Sequence, residues 1–175
     1  MKAALSMVTN WTRAVDIGAH VGLWAMNLVE VFDHVEAFEP VKLHRECFEK
    51  NVKGANLYPY ALAEKEKKVA IRIAKGSSGD SHVDPDAEGN IEAKTLDSYG
   101  FEDVGFVKID CEGFEYFVLQ GAKETLLRYK PVLIIEQKPN KGRQFGLSDT
   151  EGVRYLESLG AKLVGEMAGD YILKW

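Results

Sequence analysis

The stretch from Ala14 to Trp24, Ala-Val-Asp-Ile-Gly-Ala-His-Val-Gly-Leu-Trp, limits what this chain can become more than any other. A short apolar strand ends in an acid, Asp16, and the chain turns at Gly18. Gly22 then lies in an amphipathic segment whose Val21, Trp24, Leu28 and Phe32 recur at helical spacing, which predicts a helix from about Ala19 to Phe32. In an open α/β sheet this corner sits at the carboxyl edge of the first strand, where ligands bind, and glycine lets the backbone come close to them. The order Gly18-Ala19-His20-Val21-Gly22 never makes the G-x-G-x-x-G spacing that seats a pyrophosphate on a helix N-terminus.

An acid two residues before the first glycine, followed by alternate small residues, resembles the D-x-G-x-G-x-G loop of class I methyltransferases, with His20 in the place of the middle glycine. The resemblance implies S-adenosylmethionine, whose ammonium and sulfonium favour an anionic strand end where a phosphate would want positive potential. A structural alternative is a glycine-rich strand-to-helix turn with a solvated Asp16.

Further along, Val35-Glu36-Ala37-Phe38-Glu39-Pro40 alternates as a strand closed by an acid and a proline. Glu39 falls 21 residues beyond Gly18, the distance at which α/β nucleotide sites place a carboxylate for ribose hydroxyls. The helix that follows is read with Leu43, Cys47 and Val52 inward, and His34 and His44 as surface residues. A third strand is expected around Leu57 to Leu62; Pro59 within it cannot donate to a ladder, which places that strand at a sheet edge. Lys67–Lys75 and Asn90–Leu96 alternate as a pair of antiparallel strands, joined by the long polar loop Gly76–Gly89. That loop is either a lid or a linker, and its Ser77, Ser78, Asp80 and His82 could hydrogen-bond a polyhydroxyl substrate.

A second informative stretch, Val104 to Glu115, contains a continuous apolar strand ending at Asp110. Lys108 is the one charge inside it and requires a partner. Phe114, Phe117, Val118, Ala122 and Leu126 then face inward from a helix, whose dipole accounts for Glu112 and Glu115 near its start. Pro131–Gln137 is another buried strand, with Glu136 at its end. Ser148-Asp149-Thr150-Glu151 predicts a capping box for a helix ended by Gly160, and Lys162–Met167 and Tyr171–Trp175 read as a terminal hairpin turning at Ala168-Gly169-Asp170.

Taken together, Val-Asp-Ile-Gly-Ala-His-Val-Gly, Ala-Phe-Glu-Pro, Thr95-Leu96-Asp97, Lys-Ile-Asp-Cys-Glu-Gly-Phe-Glu and Gly121-Ala122 resemble the FkbM family of S-adenosylmethionine-dependent methyltransferases. The resemblance implies a Rossmann-like α/β fold with a mostly parallel seven-stranded sheet in the order 3-2-1-4-5-7-6, here with an extra β-hairpin before strand 4. It implies O-methylation of a hydroxyl on a sugar or related natural product. Asp16, Gly18, His20, Gly22, Glu39, Pro40, Ala61, Leu62 and Asp110 are the expected cofactor-binding residues. Asp110, Glu136 and His82 are the candidates for the base that takes the acceptor's proton. Two carboxylates on different strands are too few to assign a metal, and none is assigned.

The 175 residues suit a single domain, and no internal repeat divides them. A net charge of −5 argues against nucleic acid as the substrate, and there is no Asn-Pro-Pro-aromatic tetrad. No apolar run reaches the ~20 residues of a membrane span and no signal-peptide pattern opens the chain, so a cytoplasmic protein is expected. Cys47 and Cys111 have no ligand or C-x-x-C spacing and are read as reduced. A small-molecule acceptor is the expected partner, with a second subunit as a possible contributor to the site. The competing readings are a nucleotide-binding oxidoreductase using NAD and a non-catalytic cofactor-binding module of the same fold.

Overall fold

A computed structural model describes residues 1–74, 76 and 78–175. Its elements run α1 (Lys2–Leu5), β1 (Arg13–Ile17), α2 (Ala25–Leu28), β2 (His34–Phe38), α3 (Lys42–Asn51), β3 (Ala55–Tyr58), β4 (Ala61–Leu62) and β5 (Lys67–Arg72). Then come β6 (His82–Asp84), β7 (Ile91–Lys94), β8 (Val104–Ile109), α4 (Glu115–Gln120), α5 (Lys123–Tyr129) and β9 (Val132–Glu136). The chain closes with α6 (Glu151–Ser158), β10 (Lys162–Met167) and β11 (Asp170–Lys174).

Seven strands form the main sheet in the order β10-β11-β9-β8-β1-β2-β3. With its strands renumbered within that sheet, this is the 3-2-1-4-5-7-6 order expected from the sequence. β3, β2, β1, β8 and β9 run parallel, and β11 pairs antiparallel with both β9 and β10. The period-two alternation of the strands divides their side chains between two apolar layers. Val15, Ile17, Val107, Ile109, Leu133 and Ile135 pack on the α4–α6 side, while Ala14, Phe106, Val132 and Ile134 pack on the α2–α3 side. All six residues of β8 are buried, as befits a central parallel strand.

Several boundaries differ from expectation. The third strand stops at Tyr58, because the Pro59-Tyr60 break turns the chain out of the main sheet and Ala61–Leu62 pair with β7 instead. β3 is nonetheless the edge strand. The expected antiparallel pair forms between β5 and β7, with Val69 opposite Ile91. The loop between them adds β6, so a four-stranded sheet β4-β7-β5-β6 stands where a hairpin was expected. The helix after the glycine loop shrinks to Ala25–Leu28. Gly18, His20 and Gly22 all hold positive φ (74°, 50° and 92°), and the first helical bond there runs from the Met26 N–H to the Gly22 carbonyl.

On α3 the buried face is His44 and Phe48, with Leu43 exposed; the register is one residue off the expected Leu43–Cys47 stripe. Gly22 explains the shift, because a Cβ there would lie 2.4 Å from Val52 and 3.0 Å from Phe48. The helix expected after Asp110 is two helices, since the Asp97 carboxylate accepts the Glu124 and Thr125 N–H groups and restarts the chain as α5. The capping box of α6 does not form: Thr150 is the N-cap, and the Ser148 hydroxyl donates to the Glu151 carboxylate at 2.6 Å. Gly160 ends α6 as expected, in a Schellman motif with Gly160 and Ala161 N–H groups on the Glu157 and Leu156 carbonyls.

Candidate functional site

The carboxyl ends of β1, β2 and β8 open into a cleft of about 730 Å³, its open mouth included. Its floor is the loop after β1. Gly18 is required there, since a Cβ would sit 1.8 Å from the Asp110 carbonyl. The N–H groups of Gly18 and Ala19 donate to the Phe38 carbonyl at 3.1 and 3.0 Å, which ties the loop to the tip of β2.

Glu39, at that tip, is buried and acts as a hub. Its carboxylate accepts the His20 N–H at 2.9 Å and the Val41 N–H at 2.8 Å, and faces His44 Nδ1 at 3.3 Å. The His20 and His44 rings meet edge to face at 4.4 Å, and burial followed by the His44 charge pushes the His20 imidazole below its ordinary value. His44 is therefore part of the site's wall and not the surface residue expected from the sequence.

Opposite Glu39 stand Asp110, Cys111 and Glu112. Glu115 folds back beneath them, one oxygen accepting the Cys111 and Gly113 N–H groups at 3.0 and 2.8 Å. Burial pushes its carboxyl up to about 7 despite those bonds. Ala61, Leu62, Ile71 and Val83 form an apolar wall, the loop before β6 contributes Gly79 and Ser81, and β6 itself contributes His82. His82 Nδ1 lies 2.9 Å from the Asp80 carbonyl, which directs Nε2 away from that contact. Ser77 lies outside the described residues, as does the side chain of Ser78.

Asp110 also lines a second, smaller cavity with Glu136, Lys108, Trp24 and Asp170. Burial and a hydrogen bond with Asp110 push Glu136 up to about 7, with Lys138 at 2.7 Å pulling the other way. An alternating chain of charge crosses the site: Glu136, Lys138, Glu112, Lys141 and Asp80, linked at 2.7, 3.4, 2.7 and 2.9 Å. Oxygens of Asp110, Glu112 and Glu136 lie within 4.8 Å of one another. Within that cluster Lys138 bridges Glu136 and Glu112, and Lys141 pairs with Glu112.

The expected residues thus divide. Gly18, His20, Glu39, Pro40, Ala61, Leu62, His82 and Asp110 line the main cleft, and Glu136 lines the second cavity beside it. Asp16 is 0% exposed and lines neither; it sits behind the loop, 3.3 Å from Lys108 Nζ, which supplies the partner that Lys108 requires. Gly22 faces α3 and not the cleft. The sequence reading missed Trp24, Asp170 and the wall role of Glu112. Asp170 had a signal: an antiparallel last strand begins where the parallel strands finish, and Asp170 pairs with Glu136.

A sheet of this order with a ligand cleft at its switch point defines a Rossmann-like methyltransferase fold. The Methyltransferase FkbM domain matches residues 16–163, and the chain belongs to that family. Family membership points to S-adenosylmethionine as the cofactor.

Among solved structures, methyltransferase FkbM from Methylobacillus flagellatus KT is similar over 93% of this chain and 43% of its own, with 17% identity and a TM-score of 0.61. The chain thus spans less than half the length of that relative. Precorrin-6y C5,15-methyltransferase from Geobacter metallireducens GS-15 is similar over 99% and 86% of the two chains, with 16% identity and a TM-score of 0.59. A Streptococcus mutans protein in complex with SAH is similar over 99% and 94%, with 11% identity and a TM-score of 0.58. No curated protein sequence matches the chain. No helix among the described residues is long and apolar enough to cross a membrane.

Proposed function

We propose that this chain transfers the methyl group of S-adenosylmethionine to a hydroxyl of a small molecule, a sugar or a related natural product. One observation carries the donor half of this reading: among the described residues, the main cleft is lined by Glu39, Asp110 and Glu112 and by no lysine or arginine. A pyrophosphate would be repelled there, whereas a cationic donor is attracted. The SAH held by the Streptococcus mutans protein of the same fold supports the same assignment.

The residues fit such a group. Glu39 would accept the ribose hydroxyls with the lone pairs left by His20 and Val41, and Ala61 and Leu62 would cover the adenine. The Gly18 loop and Asp110 would hold the amino-acid end. Asp16 stands behind the loop against Lys108, outside both cavities. When bound, S-adenosylmethionine supplies a methyl group on an electron-poor sulfur. The protein's part is to hold an acceptor oxygen in line with that methyl and to take its proton as attack proceeds.

Asp110 borders both cavities and is the base best placed to do so. Glu136, at about 7 and hydrogen-bonded to Asp110, can receive the proton onward. His82, which also lines the main cleft, is the alternative, and the β6 segment that carries it would meet the acceptor. The sugar or natural-product class rests on the family resemblance.

Calorimetry with S-adenosylhomocysteine and with NAD tests the donor, with heat expected from the first alone. Transfer of radiolabelled methyl to a panel of polyhydroxylated acceptors tests the rest. Binding of NAD alone would end this reading, and label found only on nitrogen or carbon would end its hydroxyl half.

A further inference from the structure

Lys108 is the buried charge that this reading leaves without a task. A lysine inside an otherwise apolar central strand is costly, and an apolar residue of similar volume would commonly serve packing as well or better. Balancing Asp16 does not account for it, because its shortest bond goes elsewhere. Nζ donates to the Gly18 carbonyl at 2.7 Å, stands 3.3 Å from Asp16 Oδ1 and 3.4 Å from the Ile17 carbonyl, and 3.8 Å from Asp110 Oδ2. Burial opposes its charge, but Asp16 and Asp110 outweigh that and hold the ammonium above its ordinary value. A single cation on β8 therefore grips the β1 loop at the Gly18 carbonyl, and it does so two residues before Asp110.

We propose that Lys108 is a positioning residue: its ammonium sets the spacing between the Gly18 loop and the β8 tip, the two walls that would grip the donor's amino-acid end. The proposal rests on the reading of the main cleft as the donor site. It separates two halves of that site. The Glu39 side is tied by the Gly18 and Ala19 N–H groups on the Phe38 carbonyl, without Lys108, whereas on the Gly18–Asp110 side a single backbone bond, from the Asp110 N–H to the Ile17 carbonyl at 3.1 Å, is joined by the Lys108 ammonium. Loss of Lys108 should then affect the amino-acid arm of a ligand and spare its nucleoside.

Lys108→Met alone would strand the Asp16 charge in the interior and could fail to fold, so the informative variant is Lys108→Met/Asp16→Asn. Asp16→Asn alone keeps the lysine and its carbonyl bonds and serves as the control. The double variant is expected to fold and to bind adenosine as the unsubstituted protein does, while S-adenosylhomocysteine binds about tenfold more weakly, the usual worth of one charge-assisted bond. Amides of residues 18–22 and 110–113 should exchange about tenfold faster in the free protein, with β2 and β9 unchanged. The control should bind both ligands normally.

Unchanged S-adenosylhomocysteine affinity in the double variant would overturn the proposal, as would equal loss of both ligands, failure to fold, or the same loss in the control. If the unsubstituted protein binds neither ligand, the donor reading falls instead, and hydrogen exchange in the free protein still decides the role of Lys108.

Discussion

The His20 N–H donates to the Glu39 carboxylate at 2.9 Å, so the acid that closes β2 also holds the loop that closes β1. One side chain thus shapes the floor of the cleft and offers its remaining lone pairs to a ligand. Glu39→Ala should remove both contributions and weaken S-adenosylhomocysteine binding about 100-fold, whereas Glu39→Gln keeps an acceptor oxygen and should lose about tenfold. Calorimetry on the two variants checks the order; equal small losses would mean that the carboxylate serves the loop alone.

Gly18→Ala should be far worse than its size suggests. The new methyl would overlap the Asp110 carbonyl, at a φ of 74° that side chains avoid. Separation of the β1 and β8 tips should cost more than about 3 kcal/mol. Gly54→Ala, at φ 89° with open space around it, should cost only about 1 kcal/mol. Urea unfolding of both measures the difference.

Glu115 should make stability fall as pH rises. Its carboxyl titrates near 7 in the folded chain against an ordinary 4.5, so the folded state keeps a proton that the unfolded state has released. The stabilisation is fully present below the unfolded value, is lost progressively between about pH 4.5 and 7, and amounts to roughly 3 kcal/mol. Glu115→Gln retains an oxygen for the Cys111 and Gly113 N–H groups and should flatten this dependence. Thermal melts from pH 5 to pH 8 will show whether the two proteins diverge in that window.

Asp97 should matter for stability and not for ligand binding. Its carboxylate accepts the Glu124 and Thr125 N–H groups and the Thr125 hydroxyl at 3.0, 2.9 and 2.7 Å, far along the chain from its own position. Asp97→Ala should destabilise by about 1–2 kcal/mol with S-adenosylhomocysteine affinity unchanged. Denaturation and calorimetry together check this.

The strands and their tip acids were legible because they depend on local alternation and on acids that end apolar runs, as at Asp110 and Glu136; the sheet order followed from the family resemblance. What was hidden depends on contact between distant segments. The helix after Gly18 is short because three neighbouring residues hold positive φ, and His20 is not a residue type that announces this. His44 turns inward because Gly22, far away in sequence, makes room for Phe48 on the same face. Asp16 reads as a ligand-facing acid like Glu39, and only the approach of Lys108 from β8 shows that it faces a lysine inside the protein. β6 escaped notice because three residues in a polar loop carry too little pattern to mark a strand.

The strand at one border of the main sheet adjoins β11 and nothing else in the sheet order, although it precedes β11 in the chain. β10 is accordingly a passenger: it can peel away and leave β9 covered, but it cannot remain once β11 departs. Unravelling from this border would proceed in a fixed sequence, and its second step would strip Asp170 from beside Glu136. The acid corner is therefore only as durable as a five-residue ribbon held between its two neighbours.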